Sequence, residues 1–190
     1  MTLEEIYAEI SAHMIKGIMM HAQMADYYDF LGLNGYKRCH EYHYLMESCE
    51  MRGLHRYFLN HHNKLIPERV IEDPKIIPDN WYNYKRQDVG ISTKQTGVKN
   101  GLTKWVEWEK ETKKLYERMY KELLNINEVA SAFKIKELIC CVDKELKKAE
   151  RYLLNKEAIE YNIRDIIDEQ KAKHDKYKHK LEKDIRVKIC

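Results

Sequence analysis

Four side chains set this 190-residue chain apart from an ordinary helical sequence: His40, His43, Glu47 and Glu50. They fall at positions i, i+3, i+7 and i+10, so a helix carries them on one face, in line with Leu54 and Phe58. Buried charge persists where it is paired or metal-bound, and a mixed imidazole–carboxylate set suits iron, manganese or zinc. Folding the preceding segment back about residues 33–35 brings His21 level with His43 and Glu47, and His13 level with Glu50 and Leu54. Glu109 stands between Trp105, Val106, Thr112 and Tyr116 on a later helical seam. The candidate metal ligands are therefore His21, His43, Glu47, Glu50 and Glu109. The competing reading is a polar seam, in which Glu47 and Glu50 pair with Lys16, Arg52 or Lys110 and fix helix register. On that reading His40 is solvated in a first turn, and His61 and His62 are exposed residues favoured by the helix dipole. Met14, Met19, Met20, Met24, Met46 and Met51 read as core filler rather than a copper site.

A second candidate is a surface. Lys85, Arg86, Lys94, Lys99 and Lys104 face one nearby acid, Asp88, and are accompanied by Trp81, Tyr82 and Tyr84. Basic and aromatic residues together suit single-stranded nucleic acid or an acidic protein partner. The stretch from Lys171 to Lys188 holds eight Lys/Arg against Asp175, Glu182 and Asp184, which a solvated helix face explains. No phosphate loop, nucleophile elbow or zinc-finger spacing occurs, and no catalytic residue is assigned.

The elements that must position these groups are helices. Ile6, Ile10, His13, Gly17, Met20, Met24, Tyr27 and Leu31 form a seam in steps of four and three, with Leu33-Asn34-Gly35 as its stop. A second helix spans about Tyr36 to His62. Pro67, Pro74 and Pro78 then open a long connection that runs to about Asn100 and should pack through Ile76, Ile77 and Trp81. A third helix starts near Leu102 and carries Trp105, Glu109, Tyr116 and Leu123. Asn125-Ile126-Asn127 interrupts it before a fourth with Phe133, Leu138, Val142, Leu146, Ala149 and Leu153. The last runs from about Lys156 to Ile185, with a thin stripe of Ile163, Ile166, Tyr177, Leu181 and Ile185 that a four-helix core leaves uncovered. Two antiparallel helices, a crossover and two more helices give an all-α, one-crossover four-helix bundle over 1–155, with a charged C-terminal helix and tail over 156–190.

From Ile6 to Leu154 the chain resembles the ferritin-like superfamily, in helix order and crossover position. Tyr27-Tyr28, the Glu47-Ser48-Cys49-Glu50 region, Asp79-Asn80-Trp81 and Trp108-Glu109-Lys110 are similar as local text. The resemblance implies a ferritin-like four-helix bundle with a long crossover between its second and third helices. It also implies a di-metal carboxylate site, built from a Glu on two helices and Glu-x-x-His pairs on the others. Glu109 matches that pattern. Matching Glu50 and Arg52 puts the second helix's Glu-x-x-His on Met51 and Leu54; a shift by one places His55 but sets Arg52 where the Glu belongs. The first helix offers Ile15 or Lys16, and the fourth has no Glu-x-x-His. The expected centre is therefore non-standard, and ferritin-style iron storage is not expected.

Composition bounds the rest. The net charge of +3, from 34 basic and 31 acidic residues, gives no global pull toward nucleic acid. Cys39, Cys49, Cys140, Cys141 and Cys190 make no C-x-x-C pair and read as reduced, mostly buried residues of a cytoplasmic protein. Apolar runs are only a few residues long, and Glu4, Glu5 and Glu9 open the chain, so neither a membrane span nor a leader is expected. The uncovered C-terminal stripe predicts a homo-oligomer. Two functions follow: a ferritin-like protein holding iron, manganese or zinc for redox chemistry or sequestration, or a non-enzymatic interaction protein on the same scaffold. The Lys-, Ile-, Asn- and Tyr-rich composition suits, for the second, a phage-encoded inhibitor of a host or defence protein or its nucleic acid.

Overall fold

The computed structural model describes residues 1–188, apart from the side chains of residues 79, 80 and 184–188. Ile185 of the C-terminal stripe, in its side chain, and Cys190 lie outside the described residues. The order is α1 (Leu3–Phe30), α2 (Asn34–His62), two short 3₁₀ turns at Asp79–Asn83 and Arg86–Asp88, α3 (Ile91–Asn125), α4 (Val129–Ala158) and α5 (Ile163–Lys188). Helix accounts for 82% of the chain, with no strand among the described residues.

Local chemistry sets the ends. Thr2 accepts from the Glu5 backbone N–H while the Glu5 carboxylate accepts from that of Thr2, so two orphan donors of α1 are satisfied reciprocally. Asn63 closes α2 in the left-handed conformation (φ 53°). The stop between α1 and α2 is Gly32 (φ 69°), not Gly35. Gly35 lies inside α2, where any Cβ would collide with the Gln170 carbonyl of α5.

α1 and α2 pack as one antiparallel hairpin, α3 and α4 as another, and α1 lies against α3. The crossover between the hairpins is residues 63–90, shorter than expected because α3 begins at Ile91 rather than Leu102. Ile76, Ile77 and Trp81 tether it to the core. α5 packs along α2. Gln170 meets Gly35 and Tyr177 meets Tyr42, so the two helices run parallel. Ile166, Tyr177 and Leu181 are thereby buried within the chain, which removes the exposed stripe from which association was argued. Lys156, at the expected boundary of the bundle, is buried inside α4 and paired with Glu169 of α5. Of the four described cysteines only Cys39 is buried; Cys140 and Cys141 are exposed on α4, against the expectation of mostly buried thiols.

The core falls into two apolar clusters. One gathers Met20, Met24, Tyr28, Leu102 and Trp105 with Ile166 and Tyr177; the other gathers Ile6, Ile10, Phe58, Met119, Leu123 and Ile135. Each such side chain contributes about 1.5–3 kcal/mol by leaving water. The His/Glu layer lies between them. No helix among the described residues is long and apolar enough to cross a membrane.

Candidate functional site

A cavity of about 230 Å³ occupies the middle of the bundle, walled by all four helices and reached by Lys180 of α5. Carboxylates dominate it: Glu47 and Glu50 from α2, Glu109 from α3 and Glu145 from α4.

Glu47 is the central group. Its Oε1 lies 3.3 Å from His21 Nε2, while its Oε2 is buried without a hydrogen-bond partner. α1 makes room with a glycine: a Cβ at Gly17 would collide with Glu47 Oε2 and come within 2.9 Å of the Trp108 ring. His21 Nδ1 and His40 Nδ1 share one hydrogen bond of 2.9 Å, so one ring donates to the other. His40 is only 1% exposed, not solvated, because Tyr28 and Trp105 pack on it. Burial, then its electrostatic coupling to His21, keeps its pKa well below the usual imidazole range.

Glu109 accepts from Trp105 Nε1 at 2.9 Å. Burial, then the neighbouring Glu47 charge, pushes its pKa up to about 8, against the Trp105 bond and Lys148. It therefore carries its proton at pH 7. His43 faces the other way: Lys148 Nζ donates to its Nε2 at 2.9 Å and to Glu145 Oε2 at 2.8 Å. Burial, then the Lys148 charge, holds His43 well below the ordinary imidazole pKa. His13 is structural. It stacks on Trp108 with ring centroids 4.3 Å apart and bonds Thr112 Oγ1 at 2.8 Å. Since Thr112 gives its own proton to the Trp108 carbonyl, His13 Nε2 is the donor. Burial, then Lys16, brings His13 down to about 4.

Of the five expected ligands, His21 and Glu47 are in contact, Glu109 is electrostatically coupled to Glu47, and Glu50 and His43 line the same cavity. Among the described residues no three His, Cys, Asp or Glu side chains come close enough together to hold a metal ion as placed. The donor chemistry fits one hard or borderline divalent cation: a buried, unpartnered carboxylate oxygen shares the cavity with a second carboxyl whose pKa burial, then the Glu47 charge, raises. As placed, His43 and Glu145 are held by Lys148. Lys110 pairs with Glu150 instead of the α2 carboxylates. Sequence reasoning passed over Lys148 and Glu145. The available signal was a second α4 stripe, Cys141, Glu145, Lys148 and Tyr152, in steps of four, three and four.

At the basic surface, Trp81 stacks on Tyr27 (4.9 Å between centroids), and Arg86 bonds the Asp29 carbonyl at 2.7 Å and its carboxylate. The Lys85 backbone N–H donates to Asp88, closing a 3₁₀ turn. Lys94 and Lys99 follow on α3, five residues and so about 140° apart around its axis.

No family profile and no curated protein sequence matches the chain. Among solved structures it is similar to a humanized archaeal ferritin, with a TM-score of 0.73 at 15% identity over 90% of this chain and 94% of that one. At that identity the likeness is one of fold: this is a ferritin-like four-helix bundle with a long crossover and a fifth C-terminal helix.

Proposed function

We propose that the chain binds one divalent transition-metal ion in the central cavity. Glu47 and Glu109 would hold it, with His21, His43 and Glu50 as the remaining donors. The observation that carries this reading is Glu47 Oε2, buried without a partner in a space that Gly17 leaves clear. A carboxylate oxygen shut off from water without a partner is unfavourable, and a cation beside it relieves this. Bound there, iron, manganese or zinc would supply Lewis acidity, and the first two one-electron chemistry.

Elemental analysis of protein purified without chelator tests this, followed by titration of the metal-free chain with Mn²⁺, Fe²⁺ and Zn²⁺. The reading expects about one equivalent, lost in Glu47→Ala. Protein that carries none and takes up none refutes it.

A second reading draws on a different observation: three donors do not converge, and Lys148 already satisfies His43 and Glu145. On it the chain is a metal-free scaffold that acts by binding another protein, its crossover offering exposed Leu65 and Val70 and, further along, exposed Lys85. Nucleic acid is the weaker partner, since Arg86 is already paired with Asp29. Homo-oligomerisation and a cytoplasmic location belong to either reading and are tested by sedimentation and fractionation.

A further inference from the structure

We infer that Lys148 is the site's resident counter-cation, and that a metal ion enters by taking its place beside His43 and Glu145; this rests on the metal reading above. Four carboxylates line the cavity, and the cations available to them are Lys144, Lys148 and Lys180. Lys144 is exposed, and Lys180 lies 4.7 Å over the Tyr42 ring, whereas the Lys148 ammonium reaches inward. It bridges His43 Nε2 and Glu145 Oε2 at 2.9 and 2.8 Å and bears on Glu109 electrostatically.

Two features make this arrangement exchangeable. First, an ammonium that donates to His43 Nε2 keeps that nitrogen unprotonated, with its lone pair presented to a cation, which is the state a metal requires. Second, the side chain is 20% exposed at the cavity mouth, and its other contacts are the faces of Trp105 and Tyr177 at 5.3 and 5.9 Å. Such cation–π contacts are weak where water reaches the group. The ammonium withdraws toward solvent and the divalent ion takes its position, its additional positive charge met by the four carboxylates that line the cavity.

The experiment is isothermal titration of the metal-free chain with Mn²⁺ and with Zn²⁺, for wild type, Lys148→Met, Lys148→Arg and Lys148→Met/His43→Ala. The expected result is that Lys148→Met binds about tenfold more tightly than wild type. Lys148→Arg should not gain, and the double variant should lose the gain. Lys148→Ala extends the test if the Met variant fails to fold, because added ethylammonium should then compete with the metal in that variant and not in wild type. Equal affinity of wild type and Lys148→Met, with only melting temperature changed, overturns the inference and leaves Lys148 an ordinary ion pair. Absence of binding in every variant refutes the metal reading itself.

Discussion

Replacing Glu109 by Gln in the metal-free protein should stabilise it, by an amount that grows with pH. The carboxyl has its pKa raised from 4.5 to about 8 by burial and by Glu47. A carboxyl raised in the folded state binds its proton more tightly there than in the unfolded chain. Stability is therefore fully present below about pH 4.5 and is lost progressively as pH rises through about 8. Each pH unit in that window is worth roughly 1.4 kcal/mol. At pH 7 the unfolded carboxyl is ionised and the folded one is not, which favours unfolding by about 3 kcal/mol relative to a side chain that never ionises. Glutamine is such a side chain, and its carbonyl can still accept from Trp105 Nε1. Urea unfolding of both proteins without metal should show a difference of less than about 1 kcal/mol near pH 5, about 3 near pH 7 and about 5 near pH 9. A difference that does not vary with pH, or a Gln variant less stable at high pH, would refute the electrostatic account of the layer. The same variant should bind metal more weakly, so stability and binding move in opposite directions.

Gly17→Ala removes a helix-interior glycine, worth about 1 kcal/mol in favour of the variant. Its Cβ nevertheless runs into Glu47 and the Trp108 ring, at an overpacking cost of about 1–3 kcal/mol. Net destabilisation is expected, turning to stabilisation of about 0.5–1 kcal/mol in a Glu47→Ala background, as a double-mutant cycle by chemical denaturation will show. Glu169→Gln should cost about 3–5 kcal/mol, because it leaves buried Lys156 and Lys173 without their shared carboxylate. Burial works to raise the Glu169 pKa, but Lys173 and Lys156 together hold it below the ordinary value. Its stabilisation is thus complete at neutral pH and fades as pH falls through that lowered pKa, so acid unfolding of the variant should lack this component. Trp81→Ala removes the ring stacked on Tyr27 and should speed proteolysis within residues 63–90 while helix content by circular dichroism stays unchanged.

The face of α2 was legible because spacing alone decides it: four polar side chains at helical steps must share the line that Leu54 and Phe58 prolong into the core. What escaped reading lies where one element has two partners or breaks a local rule. The start of α3 was hidden by Gly90, Gly97 and Ser92-Thr93, which resemble loop punctuation. In the structure Gly97 and Gly101 of α3 are where Leu31, just past the end of α1, and Tyr28 of α1 press on its backbone. The cover for Ile166 and Tyr177 was hidden because α2 buries a second face, through Gly35, Cys39 and Tyr42, turned roughly 90° from the His/Glu line. His40 was misjudged for its place near a helix start, where solvent is the usual expectation, although Tyr28 and Trp105 enclose it. Lys148 was missed because the α4 seam satisfies an apolar pattern by itself, and a long cationic side chain one step aside reads as surface.

The polar layer also bears on which reading of the protein is correct. Two apolar clusters meet it from either end, so filling it with leucine and phenylalanine would join them into one core and remove a buried carboxyl, two histidines held neutral and an orphaned oxygen. Replacing buried polar groups by apolar ones of similar volume is often neutral or stabilising by about 1–4 kcal/mol. Other contacts also set register here: Gly35 against Gln170 aligns α2 with α5, and Gly101 against Tyr28 aligns α3 with α1. The cost is then best assigned to what the layer can hold. Glu47→Leu with Glu109→Leu separates the alternatives: a layer kept for binding should give a more stable bundle without metal uptake, whereas a layer kept for register should give a looser one, with lower cooperativity in urea and faster amide exchange in α2 and α3.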